Sequence, residues 1–226
     1  MSAPTPSPSI LRRSRWNPYV VGTGRQRLLL ESGKAEYSAT ERRLLGPYIA
    51  QPWDTGHAAA EWIRGGATKV KKSQYERLLE CAARIRYEFD YRIRLEPGLQ
   101  SPAETLALHA GTCRDFAELM IAAARSLDCA ARFVTGYVFT PNAAPGSSSP
   151  HAWAEIYVPA LGWIELDATN GLVDDGDLIP IASAVNGAEL TRTLRARAAR
   201  AGRHGCGLRP ATGEEAADGC GEVWPG

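Results

Sequence analysis

The chain has 226 residues, of which 44% are hydrophobic and 23% charged, so it is long enough to bury a core and too apolar to be wholly disordered. The net charge of +1 gives no general reason to expect a nucleic acid or an anionic membrane as partner. No apolar run approaches the roughly 18 residues that a membrane span needs. The five scattered cysteines indicate reduced thiols and a cytoplasmic location, and we expect no secretory signal at the start.

Composition divides the chain into three parts. We expect a flexible arm rich in Pro, Ser and Arg at 1–24, a folded domain at 25–185, and a low-complexity, disordered tail at 186–226. Within the tail, the stretch TRTLRARAAR is the part with the pattern of a basic helix.

The first half of the folded domain is predicted to be mainly helical. A strand is expected at 27–31, followed by a helix at 39–50 that its Gly-Pro pair breaks. A second helix is expected at 54–63, opened by an aspartate and closed by two glycines. A third is expected at 73–90, where apolar residues recur at steps of three and four.

Two helix starts follow in the middle of the chain. Ser101 and Glu104, with a proline between them, form a capping box. Gly111 ends this short helix, and Thr112 caps the next one, with Asp115 three residues later in position to bond the amide of the cap. The second of these helices carries one apolar stripe and is therefore expected to be central and buried: Phe116, Leu119, Met120, Ala123, Ala124 and Leu127.

Three strands are predicted after this helix, at 131–139, 151–158 and 163–167, with a loop rich in Pro, Asn, Gly and Ser at 140–150. Side chains alternate between the two faces of a strand, so the odd-numbered residues of each of the last two strands share a face. These residues are His151, Trp153, Glu155 and Tyr157 in one strand, and Trp163, Glu165 and Asp167 in the other.

Cys113 is the strongest candidate for a chemical role. It lies in the first turn of the central helix, where backbone N–H groups have no intrahelical partner and the helix dipole is positive. Both effects favour the thiolate, which is the nucleophilic form of cysteine. A nucleophile of this kind needs a proton acceptor close by and a third group that orients the acceptor.

His151 is the preferred acceptor among the four histidines. It begins a strand directly after a flexible loop, where catalytic side chains often lie. His57 lies in an early helix and His204 in the tail. His109, four residues before Cys113, remains the alternative.

Glu155, Glu165 and Asp167 are the candidates for the orienting carboxylate, and Asp167 is preferred because the returning strand brings it next to His151. If the two strands pair with His151 directly opposite Asp167, the turn between them must be centred on Pro159. A two-residue turn would put Asp167 on the other face of the sheet.

Three local motifs resemble the bacterial branch of the transglutaminase-like cysteine enzyme superfamily. They are GTCRDFAELMIAAARSL at 111–127, HAWAEIYV at 151–158 and GWIELDATN at 162–170, and the flanking LQSPAETLALHAGTCRDFA and RFVTGYV resemble the same branch. Cysteine, histidine and aspartate occur in the order of the family, each in a matching motif. The likeness is specific over 73–182 and weaker over 25–72.

This resemblance implies a papain-like α+β fold, in which a central helix bearing the cysteine packs on an antiparallel sheet bearing the histidine and the aspartate. It implies Cys113 as nucleophile, His151 as general base and acid, and Asp167 as the group that orients the imidazole. The implied reaction is thiol acyl transfer on amide bonds of a peptide or protein, by a cysteine peptidase or amidase. The alternatives are a protein-glutamine gamma-glutamyltransferase and a binding module that keeps the fold without the activity.

No metal or other cofactor is required by this scheme. Some cross-linking members of the family use calcium, but this chain offers only a weak acidic loop around 174–177. The backbone N–H of Cys113 is the natural first donor to an oxyanion, and Gln100 is the candidate for the second. Bacterial relatives carry further strands after the aspartate motif, where we expect this chain to have its tail rich in glycine and arginine.

Overall fold

A computed structural model describes residues 35–50, 58–65, 72–94, 98–139, 150–159, 161–174 and 176–203. The predicted arm at 1–24, the predicted strand at 27–31, the start of the predicted helix at 54–63 and residues 204–226 lie outside the described residues. The chain has two compact units, residues 1–191 and residues 192–226.

Six helices are formed by the described residues: α1 Ala39–Ile49, α2 Ala58–Gly65, α3 Gln74–Glu88, α4 Pro102–Leu108, α5 Cys113–Ser126 and α6 Gly187–Arg203. The serines that precede α1, α3 and α4 each form a capping box with a glutamate three residues later. The predicted break in α1 is wrong, because the helix continues through Pro47. A proline removes only its own N–H bond, and the bond from the Ala50 amide to the Gly46 carbonyl closes the last turn at 3.0 Å.

None of the helices in the described part of the chain combines the length and apolar character that a bilayer crossing requires.

The antiparallel sheet has five strands: β3 Ala131–Val138, β4 Pro150–Val158, β5 Gly162–Asp167, β6 Leu172–Val173 and β7 Leu178–Ala184. Across the sheet they lie in the order β6-β5-β4-β3-β7. A separate parallel pair joins β1 Asp90–Tyr91 to β2 Ala110–Gly111. The expectation that a tail replaces any further strands is therefore wrong, because β6 and β7 both follow the aspartate motif.

Helix α5 packs on one face of this sheet and forms the core with it, as the apolar stripe predicts. Phe116 and Leu119 of the helix lie in one buried cluster with four residues of β4: Ala152, Ala154, Ile156 and Val158. On the opposite face of the sheet, Trp153 forms a smaller buried cluster with residues of β3 and β7. The α+β architecture, with the cysteine helix on an antiparallel sheet, is confirmed.

The far end of α5 is held by a buried arginine. Arg125 is only 4% exposed, and its guanidinium donates to the carbonyl oxygens of Tyr48 at 2.8 Å, Ala131 at 2.9 Å and Val185 at 2.5 Å. Burial lowers the pKa of Arg125 to about 10, although the nearby carboxylate of Glu118 raises it. Three separate segments of the chain therefore meet at one side chain.

Helix α6 corrects part of the predicted tail. A disordered tail was expected from residue 186, with the pattern of a basic helix in TRTLRARAAR; Gly187–Arg203 is helical, and the rest of the tail, 204–226, lies outside the described residues. Alanine, leucine and arginine have high helix propensity, so this stretch can form a helix although its sequence is of low complexity. Asn186 also caps its start, since the side-chain oxygen accepts the amide of Glu189 at 2.8 Å.

The register between β4 and β5 differs from the predicted one. Val158 pairs with Gly162 and Ala154 with Leu166, so continuing the ladder puts Asp167 opposite Trp153 rather than His151. Asp167 and His151 share a face, as predicted, but the predicted pairing is wrong by two residues. The turn is therefore centred one residue beyond Pro159, and Gly162, which follows it, has a φ of +80° that a glycine adopts without strain.

Candidate active site

The start of α5 is fixed by the short β1–β2 pair. Tyr91 lies opposite Gly111, and the amide of Arg92 donates to the carbonyl of Gly111 at 3.0 Å. A Cβ on Gly111 would lie 3.0 Å from the Cβ of Asp115 and 3.2 Å from the Oε1 of Gln100, so the close approach of these segments requires a glycine there. Two residues later, Cys113 opens the helix with 9% of its surface exposed.

The Asp115 carboxylate connects the segments that meet at the start of α5. The carboxylate is fully buried and accepts hydrogen bonds from the amide of Thr112 at 2.9 Å and from the amide of Gln100 at 2.8 Å. Arg94 donates to both of its oxygens, at 2.8 and 3.1 Å. The carboxylate therefore fixes the loop before α4, the linker after β1 and the first turn of α5 relative to one another.

His151, Asp167 and Asn170 form one hydrogen-bonded group. His151 Nε2 lies 2.8 Å from Asp167 Oδ2, and Asn170 Nδ2 donates to the same oxygen at 2.7 Å while lying 3.2 Å from His151 Nε2. The other oxygen of Asp167 accepts the backbone amides of Thr169 and Asn170, at 2.9 and 3.3 Å. Asp167 is fully buried, so its orientation is fixed by these bonds.

Three groups lie next to the Cys113 thiol and lower its pKa: the side chain of His151, the backbone N–H of Ala152 and the hydroxyl of Tyr91. Because Nε2 of His151 faces Asp167, Nδ1 is the ring nitrogen that remains to face the sulfur. Burial is the largest influence on the thiol and raises its pKa. The hydrogen bonds and the charge of His151 together outweigh burial, and the pKa of Cys113 is lowered.

The imidazole of His151 is perturbed in the opposite direction. Burial is again the largest influence and disfavours the charged ring, but the hydrogen bonds and negative charges of Asp167 and Cys113 raise the pKa of His151 to about 9. A thiol with a lowered pKa beside an imidazole with a raised pKa favours the thiolate–imidazolium pair at neutral pH.

The alternative candidates lie in other surroundings. His109 takes a left-handed conformation at the end of α4 and stacks on Phe89 with ring centroids 4.8 Å apart. Glu155 binds Arg132, whose Nε lies 2.6 Å from its Oε2. Cys81 and Cys129 are buried, and burial raises the pKa of each thiol to about 12.

Gln100 lies at the edge of the helix start. Its backbone amide binds Asp115, and its side-chain oxygen accepts the hydroxyl of Thr105 at 3.2 Å. The same oxygen would lie 3.2 Å from a Cβ on Gly111, two residues before Cys113. Since the oxygen of the amide is taken by Thr105, the NH₂ group is the part of the side chain suited to an incoming oxyanion.

Two residues at the site were not assigned a role there by sequence reasoning. Tyr91 contacts the sulfur, but it lies in a strand of only two residues, which has no periodicity to detect. Asn170 lies in the turn after the aspartate, where it binds Asp167 and approaches His151. Its position three residues after the aspartate, in the same turn, is the signal that points to this role.

Within the described residues no group of three or more His, Cys, Asp or Glu side chains is placed to hold a metal ion. Asp175, in the weak acidic loop around 174–177, lies outside those residues.

Comparison with known proteins agrees with this architecture. Residues 58–168 match the model of the Transglutaminase-like superfamily. Uncharacterized proteins of Mycobacterium tuberculosis and Mycobacterium bovis are each 34% identical over 115 residues, which is 46% of this chain and 36% of the relative. The crystal structure of a candidate cysteine protease from Cytophaga hutchinsonii is 27% identical with a TM-score of 0.57, covering 73% of this chain and 54% of that one.

The region at 58–168 matches the transglutaminase-like superfamily, and the fold is similar to that of the candidate cysteine protease. The match spans about a third of the length of the curated mycobacterial relatives. The family region includes Cys113, His151 and Asp167, whereas Asn170, β7 and α6 lie beyond its end.

Proposed function

We propose that this transglutaminase-like protein is a cysteine peptidase or amidase that cleaves amide bonds of peptide or protein substrates through Cys113, His151 and Asp167. The observation that carries the proposal is the position of the His151 ring between the Cys113 thiol and the Asp167 carboxylate, with 2.8 Å between Nε2 and Oδ2. A nucleophile, a base and a group that orients the base are the three parts that thiol acyl transfer needs.

In the first half of the reaction, His151 takes the thiol proton and the thiolate of Cys113 attacks the amide carbonyl. The negative charge of the tetrahedral intermediate lies on the former carbonyl oxygen, where the backbone N–H of Cys113 donates to it. The side-chain NH₂ of Gln100 is the proposed second donor. His151 then gives its proton to the leaving amine, and a thioester on Cys113 remains.

In the second half, His151 takes a proton from water, and the resulting hydroxide attacks the thioester. The carboxylic acid product leaves and the thiol is restored. Asp167 keeps Nδ1 of the ring aimed at the sulfur and stabilises the imidazolium. Asn170 supports the same orientation through its bond to Asp167 Oδ2.

The test is to trap the acyl-enzyme. The protein is mixed with a peptide library and quenched in acid, and Cys113 is searched by mass spectrometry for an added acyl group. We expect a thioester on Cys113 and none in the Cys113→Ala variant. Its absence with every peptide, in a protein whose Cys113 reacts with iodoacetamide no faster than Cys81, would instead support the non-catalytic binding module.

A primary amine distinguishes hydrolysis from transfer. A glutamine-containing peptide incubated with an excess of the amine gives a carboxylic acid if water resolves the thioester, and a substituted amide if the amine does. The peptidase or amidase proposal expects the acid to predominate. Predominance of the substituted amide would identify a protein-glutamine gamma-glutamyltransferase that uses the same three side chains.

We also propose a cytoplasmic location, because thiol catalysis needs a reduced cysteine. Cys81, Cys113 and Cys129 are all free thiols in the structure. Fractionation of cells that produce the protein tests this, and recovery of the protein outside the cytoplasm would contradict it.

A further inference from the structure

A cavity lies between the loop that leads into α4, the middle of α5 and the start of α6. Its volume is about 230 Å³, and Gln100, Glu118 and Asn186 each contribute a polar side chain to it from one of these three segments. An engineered apolar cavity of about 150 Å³ binds benzene, so this space is large enough for a small organic molecule. It is called the Glu118 cavity here.

The Glu118 cavity adjoins the Cys113 centre without being part of it. Glu118 follows Cys113 by five residues, about 7–8 Å along the helix axis at the usual rise. Gln100 connects the two places, because it lines the cavity while its amide binds Asp115 at the start of the helix. Neither Cys113 nor His151 is among the lining residues.

The carboxylate of Glu118 is buried, and the protein satisfies only one of its oxygens. The residue is 6% exposed, and Oε1 accepts the amide of Gly187 at 2.5 Å. Oε2 forms no hydrogen bond or ion pair with any of the described residues. Burial raises the pKa of Glu118, and the bond from Gly187 and the charge of Arg125 offset this only in part. A ligand with an N–H group in the cavity would supply the missing donor.

Asn186 supplies a donor on the wall of the same cavity. It is 4% exposed, and its Oδ1 accepts the amide of Glu189 at 2.8 Å. Its Nδ2 donates to none of the described residues, although a side-chain amide carries two N–H donors. The cavity therefore offers a ligand one carboxylate oxygen and one NH₂ group, each on a residue that is more than nine-tenths buried.

The rest of the lining determines the charge and polarity of the occupant. Leu99, Pro102 and Ala188 are apolar, and Glu104 adds a second carboxylate, which the amide of Ser101 binds at 2.7 Å. No Lys, Arg or His is among the described residues that line the cavity. Two carboxylates without a lining cation attract a positive charge and repel a negative one, and the apolar residues favour a ligand with a hydrocarbon part.

We propose that the Glu118 cavity binds a small primary amine that also carries an uncharged carbonyl group and a short hydrocarbon side chain, as an amino acid amide does. The ammonium group would donate to Oε2 of Glu118, and the carbonyl oxygen would accept from Nδ2 of Asn186. The hydrocarbon part would lie against Leu99 and Ala188. The site lies outside the Cys113 centre, so binding there does not depend on the proposed function.

The experiment titrates the Cys113→Ala variant of the whole chain, which cannot consume the ligand, with L-leucinamide at neutral pH. Isothermal titration calorimetry should show saturable binding of one molecule per chain. N-acetyl-L-leucinamide lacks the ammonium group and L-leucine adds a carboxylate, so each should bind at least about tenfold more weakly. Equal affinity for L-leucinamide and its N-acetyl derivative would overturn the proposal, and so would the absence of saturable binding.

Two further substitutions in the same variant locate the bound molecule. Glu118→Gln keeps an oxygen for the Gly187 amide but removes the charge, and it should weaken binding of L-leucinamide at least about tenfold. Ala188→Leu fills the cavity from an exposed position of α6 and should weaken binding by a similar factor.

Ala196→Leu is the matched control for Ala188→Leu. Ala196 is exposed on the same helix but does not line the cavity, so the affinity should stay unchanged. If Glu118→Gln also lowers the midpoint of urea denaturation, Ala188→Leu decides the question alone. Unchanged affinity in Ala188→Leu would show that L-leucinamide binds elsewhere and would overturn the proposal.

Discussion

Asp167 reaches His151 diagonally across two strands: the position opposite Asp167 is Trp153, yet Oδ2 lies 2.8 Å from Nε2 of the imidazole. Diagonal neighbours on one face of a sheet are within reach of long side chains. The imidazole plane of His151 lies 23° from that of Trp153, with ring centroids 6.1 Å apart. The ring is therefore held by a carboxylate on β5 and flanked by an indole on its own strand.

Replacing Asp167 by asparagine removes the charge that stabilises the imidazolium. The pKa of His151 should fall from about 9 and that of Cys113 should rise, so less of the protein holds the thiolate–imidazolium pair at neutral pH. We expect kcat/KM to fall on the order of 10²–10⁴-fold. Glu155→Gln is the control, because the Glu155 carboxylate lies on the same face of β4 as His151 but binds Arg132. The activity of this variant should remain near that of the wild-type protein.

The pH dependence of kcat/KM should be bell-shaped. The rising limb reports ionisation of the Cys113 thiol, below the ordinary thiol range, and the falling limb reports loss of the imidazolium proton at about pH 9. The pKa of His151 in the native state lies above the ordinary histidine value of 6.5 because of its contacts with Asp167 and Cys113. These contacts therefore also increase the free energy of unfolding below pH 6.5. This contribution disappears as the pH rises to about 9. A single rise near pH 9 with no fall would contradict the assignment.

Selective alkylation should identify Cys113 among the described cysteines. At pH 7, iodoacetamide should modify Cys113 at least about 100-fold faster than Cys81 or Cys129, whose pKa values burial raises to about 12. Mass spectrometry of peptides taken at successive times measures the three rates. His151→Ala should slow the modification of Cys113, and equal rates at all three sites would show that the thiol is not activated.

Gln100→Ala tests the proposed second oxyanion donor. We expect kcat to fall by about 10²–10³-fold with little change in KM, because a donor to the developing oxyanion acts mainly in the transition state. The iodoacetamide rate of Cys113 should not change, since alkylation forms no oxyanion. A parallel loss of alkylation rate would show that the substitution disturbs the helix start, where the Gln100 amide binds Asp115.

Gly136→Ala should destabilise the fold through the β3–β7 pair. A Cβ there would lie 1.9 Å from the carbonyl oxygen of Ile179 and 2.9 Å from the ring of Trp153. We expect a decrease of about 2–4 kcal/mol in the free energy of unfolding, measured by urea denaturation. Gly65→Ala is the control, because nothing lies within 4 Å of the added Cβ at the end of α2. An unchanged midpoint for Gly136→Ala would contradict the close approach.

The central helix and the two strands with His151 and Asp167 could be predicted because their signals are local and strong. Helix α5 has a capped start and an uninterrupted apolar stripe, and β4 alternates in pattern over its length. Glycine and proline mark the turns between these elements. Local patterns of this kind also fix which side chains share a face, and so they bring the candidate site residues together.

The remaining elements depend on interactions that lie far apart in the sequence. Strand β7 is an edge strand with most of its side chains exposed and a proline inside, so it lacks the alternation typical of half-buried strands. Tyr91 contacts the sulfur only because β1 pairs with β2, 20 residues later in the chain. The β4–β5 register differs from the predicted one by two residues because alternation along a strand fixes the face of each side chain but not which residue lies opposite it.

The three carbonyls around Arg125 have a consequence for the order in which the protein can assemble during synthesis. Tyr48 and Ala131 leave the ribosome well before Val185, so the guanidinium has its full set of acceptors only after β7 has been made. A buried donor without its acceptor destabilises the native state, and nascent or truncated chains that end before β7 would lack this stabilisation at the far end of the nucleophile's helix. Full stabilisation of this end of the helix therefore comes late in translation, once the last strand of the sheet is available.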